Sequence, residues 1–226
     1  MPADVVIQEV KELAQSFARR VEDVARHAIA QRGSFSLAIP GGSAAEVLLP
    51  ALISASIDWS KVSVYWVDER MVPPDDADSN FRLAKQVWLD EVPIPAEQIH
   101  RMQGETAQPG EAAAAYTRIL RQKLGEPATF DLVLLGVGPD GHVASPFPSH
   151  RLLRAWDRDV AVLNDAPKPP PRRMTLTLRA ITAARKTVVY ATGAAKAEAI
   201  LDALRNEDSE LPVALATMGD SAVTIL

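Results

Sequence analysis

Residues 131–148 read DLVLLGVGPDGHVASPFP. Leu132-Val133-Leu134-Leu135 is too short for a helix core, and its unbroken apolar character suits a strand buried on both faces. Gly136, Gly138 and Gly141 follow, where the backbone can turn sharply and approach a ligand closely. In open α/β sheets ligands bind outside the carboxyl ends of the strands. Asp140 and His142, delivered to such a place two positions apart, have the character of an acid/base pair. The bland alternative is that Pro-Asp-Gly is ordinary turn chemistry and His142 an incidental polar residue.

Outward from this stretch, helical and extended patterns alternate. Val10, Leu13, Phe17, Val21, Val24 and Ala28 recur at spacings of three and four, which predicts a helix from about Ile7 to Gln31, ended by Gly33. Phe35–Ile39 and Val62–Val67 read as strands. The first runs into Pro40-Gly41-Gly42-Ser43 and a helix starting near Ala44, the second into Asp68-Glu69-Arg70. Met71–Asn80 is a loop, and Asp78 or Ser79 is the expected cap of a helix over Asn80–Leu89. A helix over Gly110–Leu124 precedes the strand at Asp131. Beyond it, Asp159–Leu163 and Arg173–Leu178 read as extended, separated by the proline cluster Lys168–Pro171. Thr187–Ala191 is a β-branched strand, Gly193 a turn, Ala194–Leu204 a helix, and Val213–Thr217 the expected last core strand. The alternation predicts one α/β domain over residues 1–226: Rossmann-like, with a mostly parallel, doubly wound sheet and helices on both faces.

Composition excludes several classes. The chain has 226 residues, 47% hydrophobic and 23% charged, with a net charge of −5. That is enough for one substantial core, and it lacks the basic footprint of a nucleic-acid binder. There is no cysteine, so neither disulfides nor thiolate chemistry is available. No secretory signal is expected from the opening MPADVVIQEVKELAQ, and no apolar run approaches about 20 residues. No membrane partner is expected, and a cytoplasmic protein is the expectation.

Three other junctions present polar groups. Pro40-Gly41-Gly42-Ser43, between a strand and a helix, forms an anion cradle from backbone N–H groups, the helix dipole and a hydroxyl. Equally, it reads as a tight turn with Ser43 as N-cap. It is neither a P-loop nor a dinucleotide fingerprint. Asp68-Glu69-Arg70 closes a strand, where Arg70 can fork onto phosphate oxygens; the alternative is a surface charge cluster. Gly193-Ala194-Ala195-Lys196 places a cation in a first helical turn, which a ligand anion would favour; the alternative is an exposed lysine. Arg173 and Arg185 are further cations near strand starts. Together these loops describe a pocket with an anion end and a carboxylate–imidazole end.

The chain resembles the 6-phosphogluconolactonases, in the superfamily that also holds glucosamine-6-phosphate deaminase. GVGPDGHVASPFP is similar to that family's G-x-G-x-DGH-x-AS-x-FP block. VYWVDERMVP with Ser79-Asn80 is similar to its DER…VP…SN segment. Lys168-Pro169-Pro170 with Arg173–Thr177, and Gly193–Ala197, match two more segments. The resemblance implies hydrolysis of 6-phospho-D-glucono-1,5-lactone to 6-phosphogluconate, the second step of the oxidative pentose phosphate pathway, without metal or organic cofactor. It implies His142 as the general base, Asp140 shaping the site, and Asp68 positioning a sugar hydroxyl or the imidazole. Gly41, Gly42, Ser43, Arg70, Asn80, Gly138, Arg173, Arg185 and Lys196 would hold the substrate and its phosphate. Backbone N–H groups of the Gly136–Gly141 loop are the expected oxyanion donors. The only expected partner is the small sugar phosphate lactone, and a monomer is expected.

Departures are local. PGGSAA stands where the family usually has SGGSTP, and Pro146 stands where it has leucine. The ending MGDSAVTIL is a poor match. The sister activity, amino-sugar phosphate isomerisation with deamination, usually carries a glutamate a few residues after DGH, whereas Val-Ala-Ser-Pro-Phe-Pro follows His142 here. A non-catalytic sugar-phosphate sensor would keep the cations and could dispense with the base.

Overall fold

The unbroken apolar run that follows Asp131 becomes a central strand of a parallel sheet. The computed structural model describes residues 4–218 and 222–226. Its larger sheet holds β1 (Asp4–Val5), β2 (Phe35–Ile39), β3 (Val62–Trp66), β5 (Ile99–His100), β6 (Leu132–Gly136), β9 (Lys186–Tyr190) and β10 (Ala222–Ile225). A second, small sheet holds β4 (Asp68–Arg70), β7 (Val160–Leu163) and β8 (Arg173–Leu176). The seven strands of the larger sheet lie in the order β1-β10-β9-β6-β2-β3-β5, and every pairing is parallel. All five residues of β2 and the first four of β6 are buried, so both faces of the sheet are covered at its centre. The chain winds outward from β2 through β3 to β5, then restarts at β6 on the other side and proceeds to β9 and β10. The switch point therefore lies between β2 and β6, where such sheets bind their ligands.

The helices are α1 (Val10–Arg32), α2 (Gly42–Leu48), α3 (Asn80–Val87), α4 (Pro109–Leu124), α5 (Leu178–Thr182), α6 (Ala197–Arg205) and α7 (Pro212–Thr217). The predicted stripe of α1 is buried from Leu13 to Ala28, and Gly33 ends the helix at φ 78° with its N–H on the Ile29 carbonyl. The helix begins three residues later than expected, because the preceding segment pairs with β10 through a bond from Val6 N–H to the Ile225 carbonyl. Ser79 caps α3 by accepting from Arg82 N–H at 3.2 Å.

Two expectations are corrected. Val213–Thr217 is not the last strand but helix α7: Pro212 occupies its first turn, where a missing N–H costs nothing. The last strand is β10, and Gly219, Asp220 and Ser221 of the ending lie outside the described residues. Nor do all strands join one sheet. In the small sheet β8 pairs antiparallel with both β4 and β7. A single residue, Val67, separates β3 from β4. Its N–H donates to the Ile39 carbonyl at 2.9 Å while its carbonyl accepts from Leu176 N–H at 2.7 Å. The strand thus bends there from the large sheet into the small one. No helix among the described residues is long and apolar enough to cross a membrane.

Candidate active site

The loop after β6 is a tight hairpin. Val137 bridges Val143, Gly138 N–H donates to the His142 carbonyl at 2.9 Å, and Gly141, at φ 80°, donates to the Gly138 carbonyl at 2.9 Å. The hairpin brings Asp140 Oδ1 within 2.5 Å of His142 Nδ1. Gly138 lies beneath the pair: a Cβ there would sit 2.1 Å from His142 Nδ1 and 2.6 Å from Asp140 Oδ1. Phe147 packs against the imidazole, with ring centroids 4.4 Å apart. With Nδ1 donating to a carboxylate, the imidazole carries its lone pair on Nε2.

Burial lowers the pKa of His142 below its ordinary 6.5, Lys168 adds to that direction, and Asp140 opposes both without reversing them. The ring is therefore neutral at neutral pH and able to accept a proton. Burial pushes Asp140 upward, but the hydrogen bond and charge of His142, with Lys168 at 3.8 Å, outweigh it and hold the carboxyl below its usual value.

The hairpin forms one wall of a cavity of about 150 Å³ at the switch point. Gly41, Gly42 and Ser43, after β2, form a second wall, with Gly42 at φ 59°. Asp68, Arg70 and Arg173 of the small sheet, with Asn80 at the start of α3, form the third. Asn80 is fixed by Glu69, a buried carboxylate that accepts from Asn80, Phe81 and Arg70 N–H groups at 2.7–2.8 Å and from Ser79 Oγ at 3.1 Å. Asn80 Oδ1, packed against Gly41, and Arg70 Nε are buried without a protein partner.

The predicted residues do not all meet here. Asp140, His142, Asp68, Gly41, Gly42, Ser43, Arg70, Asn80, Gly138 and Arg173 converge. Asp68 does not hydrogen-bond the imidazole. Its carboxylate accepts from Ser145 Oγ at 2.6 Å and from Asn80 Nδ2 at 3.3 Å, and it faces Arg173 Nη1 at 3.9 Å. Arg173 is buried, which lowers its pKa, and it donates to the carbonyls of Pro170 and Lys168 at 3.0 and 2.9 Å. Two of its donors therefore hold the proline cluster in place. Lys196 does not line this cavity; burial lowers its pKa, and repulsion from Lys168 adds to the shift.

Arg185 is a correction. It precedes β9, so it stands at the opposite pole of the parallel sheet, 3.5 Å from Asp131. The expected oxyanion donors of the Gly136–Gly141 loop are also largely engaged: the N–H groups of Val137, Gly138 and Gly141 all bond to backbone carbonyls.

The residue reading missed Ser145, Phe147 and Lys168. Ala144 sits at φ 50°, a strained conformation for a residue with a side chain, and this turns Ser145 toward Asp68. All three lay within or beside quoted motifs, yet which carboxylate or ring each meets depends on contacts remote in sequence.

Among the described residues, no cluster of three or more His, Cys, Asp or Glu side chains is arranged to hold a metal ion.

A family model described as "Glucosamine-6-phosphate isomerases/6-phosphogluconolactonase" matches residues 8–225. A 6-phosphogluconolactonase of Streptomyces coelicolor is 39% identical over 216 residues, covering 90% of this chain and 83% of that protein. A protein of Oryza sativa named as a probable chloroplastic 6-phosphogluconolactonase is 37% identical, covering 94% of this chain and 69% of its own length. The solved structure of 6-phosphogluconolactonase from Trypanosoma brucei superposes with a TM-score of 0.87 at 27% identity, covering 99% of this chain and 95% of that one. A monomeric glucosamine-6-phosphate deaminase shares the fold, with a TM-score of 0.82 at 19% identity. With residues 8–225 matched and its switch-point cavity built from the shared motifs, this chain belongs to the glucosamine-6-phosphate isomerase/6-phosphogluconolactonase family.

Proposed function

We propose that the protein is a 6-phosphogluconolactonase, opening 6-phospho-D-glucono-1,5-lactone to 6-phosphogluconate with His142 as general base. The observation that carries this reading is the His142–Asp140 pair, whose Nδ1 contact leaves Nε2 unprotonated beside a cavity walled by Arg70, Arg173 and a glycine-rich loop. His142 Nε2 takes a proton from water as its oxygen attacks C1. The tetrahedral intermediate collapses with cleavage of the bond from C1 to the ring oxygen. That oxygen takes the proton back from the imidazolium, and the carboxylic acid product ionises. A δ-lactone is an activated ester, so a base and orientation suffice. Orientation comes from the phosphate, held by Gly42, Ser43 and Arg70 with Lys196 as a further cation. Asp68 accepts hydrogen bonds from sugar hydroxyls, and Asn80 holds Asp68 in place through Nδ2. Alongside the cations, the carboxylates keep the cavity from being a general anion trap.

The test is hydrolysis of freshly prepared lactone, with spontaneous opening subtracted and glucosamine 6-phosphate run in parallel. The expected result is rapid lactone opening, reduced about 10²–10⁴-fold in His142→Ala, with no ammonia release. Opening no faster than background, or a His142→Ala variant of near-normal turnover, refutes the assignment.

A further inference from the structure

At the pole where Arg185 stands, Asp131 is buried and fully engaged. Oδ2 accepts from Ser36 N–H and Oγ, each at 2.9 Å, and Oδ1 from Arg32 Nη2 at 2.7 Å, with Arg185 Nε 3.5 Å from that same oxygen. One carboxylate thus serves two guanidinium groups. The adjoining cavity, of about 310 Å³, adds Lys123 and no second acid. Lys123 enters no ion pair among the described residues. Ser34, Ser63, Tyr65 and Thr129 add hydroxyls to the lining. The cavity therefore carries a surplus of two positive charges in a chain whose net charge is −5. Cations gathered on one carboxylate repel one another, and a bound dianion would remove that cost.

We propose that this cavity, formed by Arg32, Lys123 and Arg185, is a second anion site that takes a phosphate dianion, free or as a small monoester. It lies at the amino-terminal ends of the strands, away from the cavity of His142, and does not depend on the lactonase reading. Arg32 Nη1 also donates to Gln31 Oε1 at 2.9 Å, so the donors left for an anion are the Arg185 Nη atoms, Lys123 Nζ and the serine hydroxyls, which match phosphate oxygens in charge.

The experiment is an amide-resolved NMR titration of the full chain with inorganic phosphate, against potassium chloride at matched ionic strength. Saturable shifts are expected at Ser34, Ser36 and Asp131, separate from any at Gly42 and Ser43. Lys123→Gln, an exposed change that leaves the buried Asp131 network intact, should weaken the first set severalfold. Lys123→Gln with Arg185→Gln should weaken it by about tenfold or more, with lactone hydrolysis and the Gly42 shifts unchanged. Glycerol 3-phosphate in a parallel titration separates the sources: tighter binding at the same amides assigns the monoester, weaker binding the free ion. Shifts confined to Gly42 and Ser43, shifts reproduced by chloride, or an affinity indifferent to Lys123→Gln overturns the proposal.

Discussion

Gly138→Ala tests the catalytic pair without touching either member. Gly138 is not at positive φ, so alanine fits its backbone, and its N–H bond to the His142 carbonyl can persist. The added Cβ would lie 2.1 Å from both Cε1 and Nδ1 of His142 and 2.6 Å from Asp140 Oδ1. Ordinary carbon contacts need about 3.5 Å, so the ring must retreat by roughly 1.4 Å or swing off the carboxylate. A displacement of that size at a reacting group costs about 10²-fold, roughly 2.7 kcal/mol of barrier. Steady-state kinetics on fresh lactone should show kcat down about a hundredfold with KM little changed, because the phosphate contacts sit on other walls. Gly110→Ala, where a new Cβ meets nothing within 4 Å, is the control and should match wild type. A Gly138→Ala enzyme within about threefold of wild-type kcat, with an unmoved acid limb, would refute the placement of His142 over Gly138.

Other outcomes follow from the same contacts. Burial depresses the pKa of His142, so the acid limb of kcat/KM should lie below 6.5, with activity complete above it and lost as the imidazole protonates. Asp140→Asn removes the group that favours the imidazolium, so the limb should shift to lower pH while kcat falls about 10–100-fold; an upward shift in the pH profile contradicts the pair. Lys196→Ala should raise KM by up to about tenfold with kcat nearly unchanged, and an unaltered KM removes it from the phosphate set. Glu69→Gln keeps one acceptor oxygen where two now take four hydrogen bonds. Thermal denaturation should show a loss of about 1–3 kcal/mol, and an unchanged Tm would mean that the α3 turn does not rely on that carboxylate.

The parts of the fold legible in sequence were those with local causes. Phe35–Ile39 and the run after Asp131 read as central strands because such short, mainly apolar stretches suit burial on both faces. Ser79 and Gly33 announced helix ends through their own backbone chemistry. Val213–Thr217 misled because a short apolar run does not reveal its period, and Pro212 was the overlooked sign of a helix start. The antiparallel sheet was invisible: β4 is a charged triplet whose partner, β8, lies about a hundred residues on. At the site, the DGH turn and its glycines declared themselves. Arg185 did not, because only topology says which end of a parallel strand faces the cavity, and a residue before a strand emerges opposite one after it. Ser145 reaches Asp68 through the turn at Ala144, which no local pattern encodes.

The bend at Val67 places the machinery on two bodies. His142 and the glycine-rich loop ride on the large sheet, while Arg70 and Arg173 ride on the small one, joined to it at Val67 through Ile39 and Leu176. The span between base and guanidinium groups is thus a gauge set where the two sheets are tied, at the Val67 joint and at Ser145, which bonds Asp68 and Thr175. Changes of side-chain volume behind that joint would alter which chain length of phosphorylated lactone fits, with every contacting residue left as it is.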